Sequence, residues 1–338
     1  KKINVMKKWI NQILENKEVA ALPIMTHPGI ELIGETVRRA VTDGDIHYRA
    51  IRAVTEHYQT ASCTVIMDLT VEAEAFGAEI KFPEDEVPTV IGRLVADSES
   101  IQKMQIPDLS GGRIPEYLKA NELAVRNIKD KPIFSGCIGP YSLAGRLYDM
   151  SEIMVAIYIA PDMVLELLAK CTEFLISYCK ALKSIGTAGV VIAEPAAGLL
   201  SNEDCVTYST DFVKQIVDKV QDDNFTVILH NCGNTGQCTQ AMVASGANAL
   251  HFGNKVDMAN VIKECPSNVL VMGNIDPVGI LKQGDRNLIF RETKKLLEDM
   301  YKYSNFVIST GCDVPPHVPE ENINAFFDSI NSFNSKQG

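Results

Sequence analysis

His230 and Cys232 stand two positions apart, and Cys312 follows eighty residues after Cys232. These residue types offer the most distinctive chemistry in the chain. One imidazole and two thiolates make a soft donor set suited to Zn²⁺, and a site with three protein ligands keeps a position open for a reactant. The pair closes the apolar run Phe225-Thr226-Val227-Ile228-Leu229, which reads as a buried strand. Side chains at i and i+2 of a strand share a face, so ring and sulfur converge on one point. Cys312 closes a second run, Phe306-Val307-Ile308-Ser309-Thr310, and supplies the third donor if the fold brings the two ends together. Cys238 is a competing ligand, but the pattern puts it inside a helix starting near Thr235, with its side chain turned into the wall.

The elements that must position these donors repeat along the chain. Eight short apolar runs stand out: Val19 to Met25, Thr64 to Leu69, Lys131 to Cys137, Gly189 to Ala193, Thr226 to Leu229, Ala249 to Phe252, Val269 to Met272 and Phe306 to Thr310. Helical patterns separate most of them, including Asp162 to Ile185, Asp204 to Val220, Thr235 to Ser245, Met258 to Glu264 and Arg286 to Tyr303. Continuous apolar strands are covered on both faces, as in a parallel sheet. Eight such alternations predict an α/β fold, a (β/α)₈ TIM barrel. An amphipathic surface helix precedes the barrel, built on Lys1-Lys2-Ile3-Asn4-Val5-Met6-Lys7-Lys8-Trp9-Ile10. Asn11, Glu15 and Lys17 interrupt that stretch before a signal-peptide core forms. An insertion follows the second strand: a hairpin or extended excursion over Ala78 to Pro88, then helices at Ser98 to Met104 and Ile114 to Asn127. No flexible linker or short repeat divides the chain, so residues 1–338 are read as one domain.

A barrel of this kind places its active site at the carboxyl-terminal ends of the strands. The polar residues there are His27, Asp68, Glu194, His230 with Cys232, His251, Asn274 with Asp276, and Cys312 with Asp313. Asp68 ends an apolar strand, so it is expected to present a free carboxylate to the mouth. Glu194 is a candidate fourth ligand, or the carboxylate that takes the second ring N–H of the histidine ligand. Asp276 either orients the ligands or caps the helix that Pro277 begins. His27 and Asn274 are candidate substrate contacts. His251 and His47 read as core histidines, and His317, among Pro315, Pro316 and Pro319, as a loop-shaping residue. Arg113 and Arg146 are candidate anion contacts.

Composition excludes several functions. With 32 Lys and Arg against 43 Asp and Glu, the net charge is −11, and no basic stripe exists to neutralise nucleic-acid phosphates. The same charge disfavours an anionic membrane surface, and no apolar run reaches the roughly 18 residues of a membrane span. Nine cysteines are expected to stay reduced, in a cytoplasmic setting, and most of them pack as small hydrophobes. The chain has no G-x-S-x-G elbow, no phosphate loop and no dinucleotide glycine motif.

The chain resembles the uroporphyrinogen decarboxylase superfamily, and within it the zinc-dependent methylcobamide:coenzyme M-type methyltransferases. The resemblance runs through Asp68-Leu69-Thr70-Val71-Glu72-Ala73-Glu74-Ala75-Phe76-Gly77, Gly139-Pro140-Tyr141-Ser142-Leu143-Ala144-Gly145 and Leu229-His230-Asn231-Cys232-Gly233. It continues in Gly273-Asn274-Ile275-Asp276-Pro277 and Ser309-Thr310-Gly311-Cys312-Asp313-Val314-Pro315. The decarboxylase branch holds porphyrinogen carboxylates with paired arginines after the first strand; here Met25 to Leu32 contains none, and the next arginine is Arg38. Asp68 nonetheless matches that branch's essential aspartate. In the methyltransferase branch the resemblance implies His230, Cys232 and Cys312 as zinc ligands, with Glu194 or Asp276 orienting them. It also implies a methylcorrinoid donor, carried on a partner corrinoid protein, and a small thiol acceptor such as coenzyme M. Rival readings are a zinc hydrolase on the same site, a metal-free decarboxylase-like lyase using Asp68, and a non-catalytic thiol or corrinoid binder. A homo-oligomer is compatible with all of them.

Overall fold

The apolar runs become strands of one sheet. In the computed structural model, which describes residues 5–64 and 68–337, the strands are β1 (Ala20–Ala21), β2 (Cys63–Thr64), β3 (Glu79–Lys81), β4 (Thr89–Ile91), β5 (Ile133–Ile138), β6 (Gly189–Ala193), β7 (Thr226–Asn231), β8 (Ala249–Phe252), β9 (Leu270–Ile275) and β10 (Phe306–Thr310). Eight of them form a sheet in the order β1-β10-β9-β8-β7-β6-β5-β2, every neighbouring pair parallel. The two end strands meet where the Ala61 N–H donates to the Ala21 carbonyl at 2.8 Å. The fold is therefore the expected (β/α)₈ barrel. Val65, Ile66 and Met67 of the second expected strand, and Lys1 to Asn4 of the first expected helix, lie outside the described residues.

Alternation along the strands separates two cores. Val190 and Ile192 of β6 point outward and pack with the helical layer. Val191 points inward, joining Leu22, Ile24, Phe134, Ile228, Ala249, Leu270, Met272 and Val307 to fill the barrel. The amino-terminal helix, Val5–Glu15, is amphipathic as expected, but it does more than lie on the surface. Trp9 and Ile13 enter the interior cluster, Trp9 Nε1 donates to the Ala61 carbonyl at 3.2 Å, and the ring packs 5.1 Å from Phe134. This helix stoppers the amino-terminal end of the barrel, leaving the opposite mouth for chemistry.

The insertion after β2 contains the expected hairpin, with β3 antiparallel to β4, followed by helices Ser98–Lys103 and Ile114–Asn127. After β5, helices Pro140–Tyr148 and Met150–Ile159 precede the long return helix Pro161–Ile185. The helix after β7 is shorter than its apolar pattern implied, Thr239–Ala244, because Gly233 and Gly236 sit at positive φ in the preceding turn. Cys238 therefore stands just before that helix and not within it. It is fully buried, its sulfur directed at the Ala197 and Leu200 carbonyls, so its exclusion from the mouth holds by a different route.

Candidate metal centre

Inward parity in β7 belongs to Ile228 and His230, and continues to Cys232 just past the strand. In β10 it belongs to Val307 and Ser309, after which the chain turns through Gly311 into Cys312. As a result one ring nitrogen of His230 and the sulfurs of Cys232 and Cys312 lie within 4.8 Å of one another. His230 is buried and both cysteines are half-buried, so the cluster opens toward solvent on the sulfur side. His230 Nδ1 sits 2.8 Å from His251 Nδ1, whereas its Nε2 is buried without any hydrogen-bond partner. A bare imidazole nitrogen beside two sulfurs fits a divalent metal of soft preference. The two sulfurs influence each other: the neighbouring Cys312 lowers the Cys232 thiol pKa. The same contact, with burial, raises that of Cys312 against the opposing pull of His230.

The backbone around the cluster is tightly packed. A Cβ on Gly198 would sit 2.1 Å from the Cys232 carbonyl oxygen, so only glycine lets the loop after β6 lie against that turn. The other expected site residues are placed as follows. Glu194 has the outward parity of Val190 and Ile192, and its carboxylate accepts from the Tyr141 and Ser142 backbone N–H groups and the Ser209 hydroxyl. It anchors the start of helix Pro140–Tyr148 and is not among the donors at the mouth. Burial raises its pKa against those hydrogen bonds. Asp276 accepts from the Val278 and Gly279 N–H groups, both at 2.9 Å, and so caps the turn of helix that follows. Asn274 is inward-facing, but its amide donates to the Gly253 and Val256 carbonyls and braces the loop after β8.

Asp68 departs most from expectation. It is buried, and its Oδ2 takes 2.5 Å and 3.1 Å hydrogen bonds from Arg113 and Tyr117. Its Oδ1 accepts from the Thr70 backbone and hydroxyl. The carboxylate is thus not free at the mouth, because a buried charge persists only with such partners. Arg113 is consumed by Asp68 and Glu74, which removes it as an anion contact. Arg146 is half-buried, which lowers its pKa, and forms no salt bridge among the described residues.

His27 lies beside the Cys312 loop. Its Nδ1 faces the Val314 carbonyl at 3.1 Å and Asp313 Oδ2 at 3.2 Å, two acceptors that place the hydrogen on that nitrogen. Its buried Nε2 and Asp313 Oδ1 have no hydrogen-bond partner. Burial opposes the charged ring, but Asp313 and the Val314 carbonyl outweigh it and raise the pKa. His47 is a core residue, its pKa pushed down to about 3 by burial. His317 is exposed at the far end of the loop, paired with Glu31.

His251 is buried and hydrogen-bonded, as a core histidine was expected to be, but its partner His230 was not foreseen. The signal was register: His251 pairs directly with His230 across β7 and β8, at inward parity.

An eight-stranded barrel with one imidazole and two sulfurs at its carboxyl-terminal mouth defines the class, an α/β barrel whose site is built for a soft donor set. The family model for uroporphyrinogen decarboxylase (URO-D) matches residues 10–333, and the chain belongs to that family. It is 30% identical over 263 residues to the methylcobamide:CoM methyltransferase MtbA of Methanosarcina mazei, covering 77% of this chain and 76% of that one. It is 26% identical over 286 residues to the uroporphyrinogen decarboxylase of Legionella pneumophila, covering 81% and 79%. A solved methyltransferase from Methanosarcina mazei superposes with a TM-score of 0.87 at 23% identity, over 97% of this chain and 98% of that one, a likeness of fold.

Proposed function

We propose that this chain is a zinc-dependent methyltransferase that moves a methyl group from a methylated corrinoid, presented by a partner protein, to a small thiol. The observation that carries the reading is the convergence of His230, Cys232 and Cys312 within 4.8 Å, with His230 Nε2 left bare. The name of the 30%-identical relative, a methylcobamide:CoM methyltransferase, agrees with that chemistry.

His230, Cys232 and Cys312 would hold the ion. Zn²⁺ held by these donors would supply the charge that keeps an acceptor thiol as thiolate at neutral pH. Two cysteine ligands keep the site electron-rich, which favours a nucleophilic sulfur over an activated water and sets the transferase above a hydrolase. In the overall transfer the cobalt–carbon bond breaks with its electron pair left on cobalt, a sulfur–carbon bond forms, and the thiol proton goes to solvent. His27 Nε2 and Asp313 Oδ1, buried and unpartnered beside Cys312, are the polar atoms offered to the acceptor. Because the Asp68 carboxylate is already satisfied by Arg113, Tyr117 and Thr70, a metal-free decarboxylase using it is disfavoured.

The rim supports a macromolecular donor. Large exposed apolar side chains are Leu32, Val87, Ile91, Val155, Tyr158, Ile159, Leu199, Val278 and Tyr301. Among them Leu199 follows closely on the end of β6 and Val278 on the end of β9, and Leu32 ends the helix that follows β1. Apolar side chains exposed beside the strand ends would suit a protein partner. No helix among the described residues is long and apolar enough to cross a membrane. Nine free cysteines fit a reducing cytoplasm.

Metal analysis of purified protein, with His230→Ala and Cys312→Ser, comes first: about one zinc per chain is expected in the wild type and little in either variant. Methyl transfer from free methylcobalamin to a panel of thiols is then followed by corrinoid absorbance. Zinc-loaded protein that alkylates no thiol would sink the reading.

A further inference from the structure

The metal ligand His230 does not use a carboxylate as its outer partner. Its Nδ1 lies 2.8 Å from His251 Nδ1, and His251 Nε2 lies 2.8 Å from Ser309 Oγ. The two rings meet edge to face, 4.7 Å between centroids at 71°. His251 and Ser309 are fully buried, so bulk water does not compete for these contacts.

Hydrogen counting along this chain has one solution when His230 binds a metal. A ligating Nε2 must be a lone pair, so Nδ1 carries the hydrogen and donates. His251 Nδ1 must then accept, which puts the His251 hydrogen on Nε2. That end of the ring faces β10, where Ser309 Oγ receives it. The Ser309 hydroxyl can accept as well as donate, so the direction of the relay is fixed from the metal end.

We propose that His251 is a positioning residue for the metal centre: anchored by Ser309, it selects the tautomer and rotation of His230 that aim Nε2 at Cys232 and Cys312. The proposal rests on the metal-site reading above. Outer partners of ligating histidines are usually carboxylates, carbonyls or water. A second imidazole does the same orienting work without adding negative charge, so the formal charge of the loaded centre is set by the two cysteines alone.

The test compares Zn²⁺ affinity, by competition with a chromophoric chelator, and the Co²⁺ absorption spectrum in wild type, His251→Leu, His251→Asn and Ser309→Ala. Asparagine places an oxygen where His251 Nδ1 lies and accepts the same N–H; leucine does not. His251→Leu is expected to weaken Zn²⁺ binding by about 10- to 100-fold and to alter the cobalt d–d bands as His230 reorients. His251→Asn should stay within several-fold of wild type, and Ser309→Ala should fall between. Leucine binding as tightly as wild type with an unchanged cobalt spectrum overturns the proposal, as does asparagine binding as poorly as leucine. Should His251→Leu not fold, the Asn and Ala variants decide alone: wild-type affinity and spectrum in Ser309→Ala with lost binding in His251→Asn refutes the relay. A wild-type chain that takes up neither Zn²⁺ nor Co²⁺ instead removes the metal-site reading itself.

Discussion

Replacing Arg113 by methionine tests the claim that Asp68 is held as a buried ion pair. The guanidinium donates to Asp68 at 2.5 Å, Glu74 at 2.5 Å, the Val41 carbonyl at 3.0 Å and the Thr70 hydroxyl at 2.8 Å. It also stacks 4.7 Å from the Phe82 ring. Asp68 and Arg113 side chains are only 1% and 8% exposed, so water cannot replace the lost partner. Removing one member of such a pair costs about 3–5 kcal/mol. Unfolding entropy of about 2.1 cal/mol/K per residue gives ~0.7 kcal/mol/K for this chain, so ~4 kcal/mol lowers Tm by about 6 °C. Methionine retains most of the apolar stem, which isolates the charge. Asp68→Asn in the same background still accepts from Thr70 at Oδ1, its NH₂ in the place of Oδ2 can donate to the Tyr117 hydroxyl, and it should recover about half of the loss. Urea unfolding by circular dichroism, with calorimetry, measures both quantities, and Zn²⁺ affinity of Asp68→Asn should match wild type. Were Arg113→Met within about 1 kcal/mol of wild type, or the double variant no more stable than the single, the ion-pair argument would be wrong.

Three further outcomes follow from the geometry. Glu72 is buried, with Oε1 accepting from the Ile138 N–H and Oε2 unpartnered, and burial raises its pKa from 4.5 to about 7. The folded chain therefore binds the extra proton between those values. This contribution to stability is full below pH 4.5 and is lost as pH rises through 7, at most about 3 kcal/mol. Glu72→Gln should match wild type near pH 4.5 and melt higher than it at pH 8; equal melting at both would refute the shift. Gly139→Ala places a Cβ 2.1 Å from Glu194 Cγ, so it should destabilise by about 3 kcal/mol or more, with partial rescue by Glu194→Ala in a chemical-denaturation series. Trp9→Ala removes the stopper of the barrel's closed end and should cost about 3–5 kcal/mol. Zn²⁺ affinity measured by chelator competition should be unchanged, because the metal donors sit at the opposite mouth.

Much of this architecture is legible in sequence because burial leaves a local trace. Strands covered on both faces must be apolar throughout, so eight runs separated by helical patterns already imply a barrel. The i, i+2 spacing of His230 and Cys232 fixes their shared direction without reference to anything else. Asp276 was readable as a cap for the same reason, since its partners are two and three residues away.

What sequence could not reveal depends on residues distant in the chain. Asp68 reads as a free acid until Arg113 and Tyr117, more than forty positions later, close over it. Glu194 carries the right charge for a ligand, but strand parity turns it outward to the start of helix Pro140–Tyr148, and no composition rule reports which inner or outer partner it meets. His251 looks like an ordinary core histidine until β7 and β8 align in register and set it against His230. The amino acid order by itself determines which groups exist and which way each leaves its own strand. Only the closed barrel decides which of them share a hydrogen bond, because that depends on distances between strands that local rules do not contain.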